Sequence, residues 1–157
     1  MLVVLAEEHR RNFRKLLAGA EALSGAHAQG SLSDKGQENL LRFYAVEVGL
    51  KYLLNVVERV PFRHEAAAGS TYVEKYSHKI AQMVVDLRVP ASRVPALAKA
   101  DFKCIGGFDD GTAGQTFPLH AAQEAWRYGL TVEAADEGDI LAYLGGITAY
   151  LSEEIAP

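Results

Sequence analysis

Residues Glu38 to Val57, ENLLRFYAVEVGLKYLLNVV, constrain this chain more than any other stretch. Leu40, Phe43, Leu50, Leu54 and Val57 recur at helical spacing, and Leu41, Tyr44, Val48 and Tyr52 widen that stripe. A helix with so broad an apolar surface must touch neighbours on more than one side, so it is expected at the centre of a fold. Glu47 and Lys51 stand one helical step apart in the favourable order, a pairing that contributes about 0.2–0.5 kcal/mol when exposed and acts as a conformational anchor when half-buried.

The remaining chain reads as further helices around this one. Leu2 to Leu23 carries an apolar stripe with Phe13, Leu16, Leu17 and Ala20, beside a basic cluster of Arg10, Arg11, Arg14 and Lys15. SGAHAQGSLSD, residues 24–34, reads as a loop, and Asp34 with Gln37 has the form of a capping pair that starts the central helix. Pro61 ends that helix, and PFRHEAAAG forms a connection. Thr71 and Glu74 suggest a second capping pair for a helix from Tyr72 to Arg88, closed by Val89-Pro90. A short helix is expected from Ser92 to Phe102, followed by an irregular stretch, CIGGFDDGTAGQ. Pro118 suits the first turn of a helix reaching Tyr128, with Gly129 as its stop. The last helix runs from Val132 to Ile155. The pattern therefore predicts an all-α fold: residues 1–157 as a single antiparallel bundle of about five or six helices, with 1–35 as an N-terminal helix and loop.

Composition narrows what such a domain does. Residues 1–103 hold 15 Lys+Arg against 11 Asp+Glu, whereas residues 104–157 hold one Arg against nine acids. The two halves either neutralise each other in one bundle or turn a basic face toward an anion such as RNA. Cys104 is the sole cysteine, which excludes an internal disulfide and leaves a small packed thiol as its expected role. The five histidines lack metal-ligand spacing, so neither metal nor cofactor is expected. GGFDDGTAGQT lacks the Gly-Lys-Ser/Thr ending of a phosphate loop, and Asp109 and Asp110 within it read as solvated acids. No charge-free apolar run reaches about 18 residues, and no cleavage pattern follows MLVVLAEEHRR, so a cytoplasmic protein without a membrane span is expected.

Three segments, FYAVEVGLKYLL at 43–54, YSHKIAQMVVDL at 76–87 and WRYGLTVEAADEGDILAYLGGI at 126–147, together resemble the HEPN superfamily of helical domains. The resemblance rests on an aromatic followed by acidic-x-x-x-Lys (Tyr44, Glu47, Lys51), a histidine opening a later helix (His78) and an Arg-Tyr pair before the last helix (Arg127-Tyr128). It covers roughly residues 36–155 and implies an antiparallel, often dimeric bundle found in RNA-cleaving toxins, defence proteins and noncatalytic nucleotide-binding or interaction modules. Active members cut RNA without a metal through an Arg-x4-6-His motif. Arg59 and His64 in RVPFRH satisfy that spacing, with Arg59 stabilising phosphate charge and His64 moving the proton. Nine arginines and five histidines at three allowed spacings give about one such match by chance, and Arg127 has no downstream histidine.

The leading expectation is accordingly a noncatalytic RNA- or nucleotide-associated binding or interaction module, within a phage-defence or toxin–antitoxin assembly. Its contact surface combines Lys51, Arg59, Arg63, His64, Lys75, His78 and Lys79. Expected partners are RNA or a nucleotide, a protein from the same operon, and a second copy of the chain. The alternatives are a metal-independent endoribonuclease using Arg59 and His64, and a purely structural dimerisation domain.

Overall fold

The structure, a computed structural model, describes residues 3–30, 35–106 and 114–155. The two longest helices come first: α1, Ala6–Ala28, and α2, Gly36–Val56. Phe13 meets Gly49 and Gly19 faces Leu41, so the pair runs antiparallel along most of its length. α1 continues five residues beyond Leu23, through Ser24, Gly25 and Ala26, before Gly30 turns the chain at a φ of 72°. The expected capping residue Asp34 lies outside the described residues.

Phe43, Ala45, Val46, Leu50 and Leu54 of α2 are all fully buried, as a central helix requires. Gly49 is the point of closest approach. A methyl group there would stand 2.7 Å from Leu151 Cδ1 and 3.0 Å from Phe13 Cδ2, so the missing side chain lets α1, α2 and the last helix converge. Three residues beyond α2, Arg59 stands in the left-handed region (φ 57°), and the Val60 N–H then reaches back to the Leu54 carbonyl at 3.0 Å. Asn55 Nδ2 donates to the Val60 carbonyl and fixes the same turn.

The helix expected from Tyr72 to Arg88 is broken in two. A 3-10 turn, Val73–Tyr76, is followed by Ser77 at φ 50°, and only then does α3, Ile80–Asp86, begin. Glu74 does not cap the turn; its carboxylate accepts the Arg63 N–H at 2.9 Å, which pins the connection after α2 to this segment. Tyr76 donates its hydroxyl to Asp86 Oδ2 at 2.6 Å and bridges the break. Burial, then the hydrogen bond to Asp86, pushes the Tyr76 phenol up to about 12.

The all-α expectation is overturned by a three-stranded antiparallel sheet in the order β2-β1-β3. β1, Asp101–Gly106, replaces the end of the helix expected at Ser92–Phe102 and the start of the stretch expected to be irregular. Its side chains alternate, with Phe102 and Cys104 buried and Asp101, Lys103 and Ile105 exposed, the period of a half-buried strand. β2, Thr116–Pro118, pairs Phe117 with Phe102, and β3, Thr131–Val132, pairs Val132 with Cys104. A bulge separates Cys104 from Gly106, and the Cys104 thiol donates to the Gly106 carbonyl across it at 3.1 Å. Residues 107–113, including Asp109 and Asp110, lie outside the described residues. Two prolines, Pro90 and Pro95, prevent a helix before β1 by removing backbone donors and restricting the residues ahead of them.

Pro118 closes β2 and precedes a 3-10 turn, Leu119–Ala121, which runs directly into α4, Ala122–Arg127. Gly129, at φ 71°, then stops the helix. α5, Ala134–Glu154, buries Ile140, Tyr143, Leu144, Ile147 and Leu151 against the other helices. Asp136 in its first turn ties helix to sheet: Oδ1 pairs with Lys99, and Oδ2 accepts the Lys103 N–H at 2.8 Å. No helix among the described residues is long and apolar enough to cross a membrane.

Candidate functional site

The central helix carries a buried carboxylate. Glu47 is 7% exposed, and both its oxygens are engaged: Lys51 Nζ lies 2.5 Å from Oε1, and His78 Nδ1 lies 2.7 Å from Oε2. An ionised carboxylate only accepts hydrogen bonds, so Nδ1 of His78 carries a proton and the imidazole is held in one orientation. Nε2 is left as the working nitrogen. The His78 side chain remains 35% exposed while Lys51 is largely covered at 12%.

Local backbone explains how a histidine 31 residues away arrives at Glu47. Ser77 sits at φ 50° and ψ −121°, a conformation that costs a residue with a side chain of order 1–3 kcal/mol, and it redirects the chain between the 3-10 turn and α3. Phe43 and Tyr44 flank the imidazole, each with its ring centroid 6.3 Å from that of His78.

A second group of polar residues adjoins this one through Tyr44. Its hydroxyl donates to Gln123 Oε1 at 3.3 Å and accepts from Arg127, whose guanidinium carbon also lies 5.8 Å from the Tyr44 ring centroid. Gln123 and Arg127 stand one turn apart on α4. His120, in the preceding 3-10 turn, is exposed three residues before the buried Gln123. Tyr44, Glu47, Lys51, His78 and Arg127 are thus linked through Tyr44 and Glu47, with a half-buried imidazole and an exposed guanidinium. Tyr128, the second half of the Arg-Tyr pair, is 56% exposed and makes no such contact.

The other residues singled out in the sequence occupy different positions. Arg59 is exposed, and among the described residues no hydrogen bond or ion pair joins it to His64; its backbone closes α2. His64 lies parallel to Phe62, with 6.2 Å between ring centroids and 5° between planes, and its Nε2 is 3.7 Å from Glu65 Oε1. His9 also stacks on Phe62, at 4.9 Å. Arg63 and Lys75 share Tyr72, at 6.0 and 4.8 Å from its ring centroid, and Lys75 also donates to the Ser70 carbonyl. Glu58, Glu65 and Glu74 accompany Arg59, Arg63 and Lys75 on these segments, so that connection is close to neutral. Lys79 is exposed, directly follows His78 and lines a concavity together with His120.

Lys51 and His78 are therefore joined at Glu47, whereas Arg59, Arg63, His64 and Lys75 belong to a separate surface. His120, Gln123 and Arg127 were not among the expected contact residues. Their positions three and four residues apart, just after a helix-starting proline, were the available signal. No group of three or more histidine, cysteine, aspartate or glutamate side chains suited to a metal gathers among the described residues. Compared with protein-family models, curated proteins and solved structures, the chain matches none.

Proposed function

We propose that this chain is a noncatalytic, HEPN-like RNA- or nucleotide-associated binding module, a helical core carrying a small inserted sheet. Its anion-contacting surface runs from His78 to Arg127. One observation carries this reading: five of the six residues behind the resemblance, Tyr44, Glu47, Lys51, His78 and Arg127 but not Tyr128, lie as far as 83 positions apart and yet are linked by hydrogen bonds and the Tyr44–His78 ring contact. Lys51 and Glu47 compensate each other, which leaves the Arg127 guanidinium and the His78 ring to face a ligand. Arginine offers a planar donor fork for phosphate, and Tyr44 supplies a π-face beside it. A protein partner from the same operon, a defence or toxin–antitoxin setting and self-association belong to the same proposal.

A second reading, the metal-independent endoribonuclease, gains from one observation. A histidine oriented by a carboxylate, with an arginine held against the same tyrosine, supplies the kinds of group that acid–base catalysis at a phosphodiester uses. On this second reading His78 would move the proton and Arg127 would meet the phosphate, whereas the sequence motif points to Arg59 and His64. Fluorescence anisotropy of a labelled single-stranded RNA in EDTA, followed by gel analysis of the same samples, separates the two readings. Salt-sensitive binding of intact RNA supports the module, and cleavage lost in His78→Ala supports the enzyme.

A further inference from the structure

A concavity of about 270 Å³ opens between the start of α3 and the 3-10 turn Leu119–Ala121. Ala81, Ala100, Pro118 and Leu119, backed by the buried Ile80, give it an apolar wall, Gln82, whose amide donates to Asp86, adds a polar edge, and Lys79 and His120 line it from opposite segments. Neither basic side chain has a hydrogen bond or ion pair with any described residue. Asp101, paired in register with Pro118, is the nearest acid along the sheet and is not among the lining residues. Lys79 directly follows His78, and His120 precedes Arg127 by seven residues in the segment that docks on α2, so this concavity neighbours the surface described above.

We propose that this concavity is a nucleotide subsite, in which Lys79 and His120 contact a phosphate while the apolar wall receives the base. The inference rests on the RNA- or nucleotide-binding reading and adds to it a second point of contact and a ligand class, a nucleoside monophosphate unit. The chemistry follows from the lining. Two unopposed donors on facing segments suit a phosphate, and a wall of aliphatic carbon suits a flat heterocycle that leaves water on one face. On a longer strand, one nucleotide occupies this subsite while a neighbouring phosphate lies near Arg127.

The test is titration calorimetry with adenosine monophosphate and anisotropy with a labelled single-stranded RNA. It uses the full chain, Lys79→Gln/His120→Gln, and Lys15→Gln as a control that removes one positive charge from α1. Circular dichroism verifies that each variant folds. The expected result is that the double substitution weakens adenosine monophosphate about ten-fold or more, weakens RNA as well, and that the control changes neither. RNA binding without adenosine monophosphate binding overturns the subsite and leaves the broader reading intact. So does mononucleotide binding that ignores the double substitution. Failure of the wild-type chain to bind either probe overturns both.

Discussion

His78 Nδ1 lies 2.7 Å from Oε2 of Glu47, a carboxylate buried in the middle of the central helix and shared with Lys51. This contact joins the segment before α3 to α2 and fixes the imidazole for whatever meets it from outside. Because the carboxylate is covered, it also bears on stability. Glu47→Ala leaves Lys51 largely buried without its partner, and is expected to cost about 3–5 kcal/mol in urea denaturation. Glu47→Leu combined with Lys51→Met removes both charges and is expected to recover most of that loss. A double variant no more stable than Glu47→Ala would show that the loss comes from the His78 contact, absent in both variants, and not from an unpaired Lys51.

Gly49 and Gly145 lie inside helices of equal length but in different surroundings. Alanine gains about 1 kcal/mol of helix propensity at either position. At Gly145 nothing lies within 4 Å of the added methyl, so Gly145→Ala is expected to stabilise by about 0.5–1 kcal/mol. At Gly49 the methyl meets buried Leu151 and Phe13, and overpacking of about 1–3 kcal/mol outweighs the gain. Thermal melts of the two variants should move in opposite directions.

The Asp136–Lys99 contact sets a pH dependence. The hydrogen bond from Lys99, with that from the Lys103 N–H, holds the Asp136 carboxyl below its ordinary value of 3.8. A depressed carboxylate contributes stability that is present above its unfolded value and is lost as pH falls through the folded one. Lys99, raised from 10.5 by the hydrogen bond to Asp136, contributes fully below its unfolded value and loses that contribution as pH rises through the folded one. Asp136→Asn should therefore be less stable than wild type between about pH 4 and 10, with a gap that narrows as acid is added. A constant gap down to pH 2 would sink this assignment.

Arg59 holds a left-handed conformation that glycine adopts without a side-chain penalty. Arg59→Gly is expected to stabilise the chain by about 0.5–1 kcal/mol and to leave RNA binding unchanged. Loss of binding in this variant would return Arg59 to the functional surface.

Much of the helical architecture was legible because long amphipathic segments repeat their signal. The stripe from Leu40 to Leu54 marks α2, and the run from Ile140 to Leu151 marks α5. The sheet was not, since Phe102 and Cys104 provide only two inward steps of alternation, and β2 and β3 span three and two residues. The break at Ser77 was hidden as well: nothing in YSHKI marks a left-handed residue, and the contacts that accompany it, His78 with Glu47 and Tyr76 with Asp86, are tertiary or span the break. The acidic-x-x-x-Lys pattern and the later histidine singled out Lys51 and His78, which the structure joins at Glu47. The contacts of Gln123 and Arg127 depend on how a six-residue helix docks on α2, which spacing along the chain does not specify.

The most direct measurement is the affinity of the full chain for labelled single-stranded RNA across a salt series, for wild type, His78→Gln, Arg127→Ala and Arg59→Ala/His64→Ala. The expected result is salt-sensitive binding weakened about ten-fold by either of the first two substitutions and left within about two-fold by the third. Absence of binding, or binding lost only in the Arg59/His64 variant, would contradict a functional surface at His78 and Arg127.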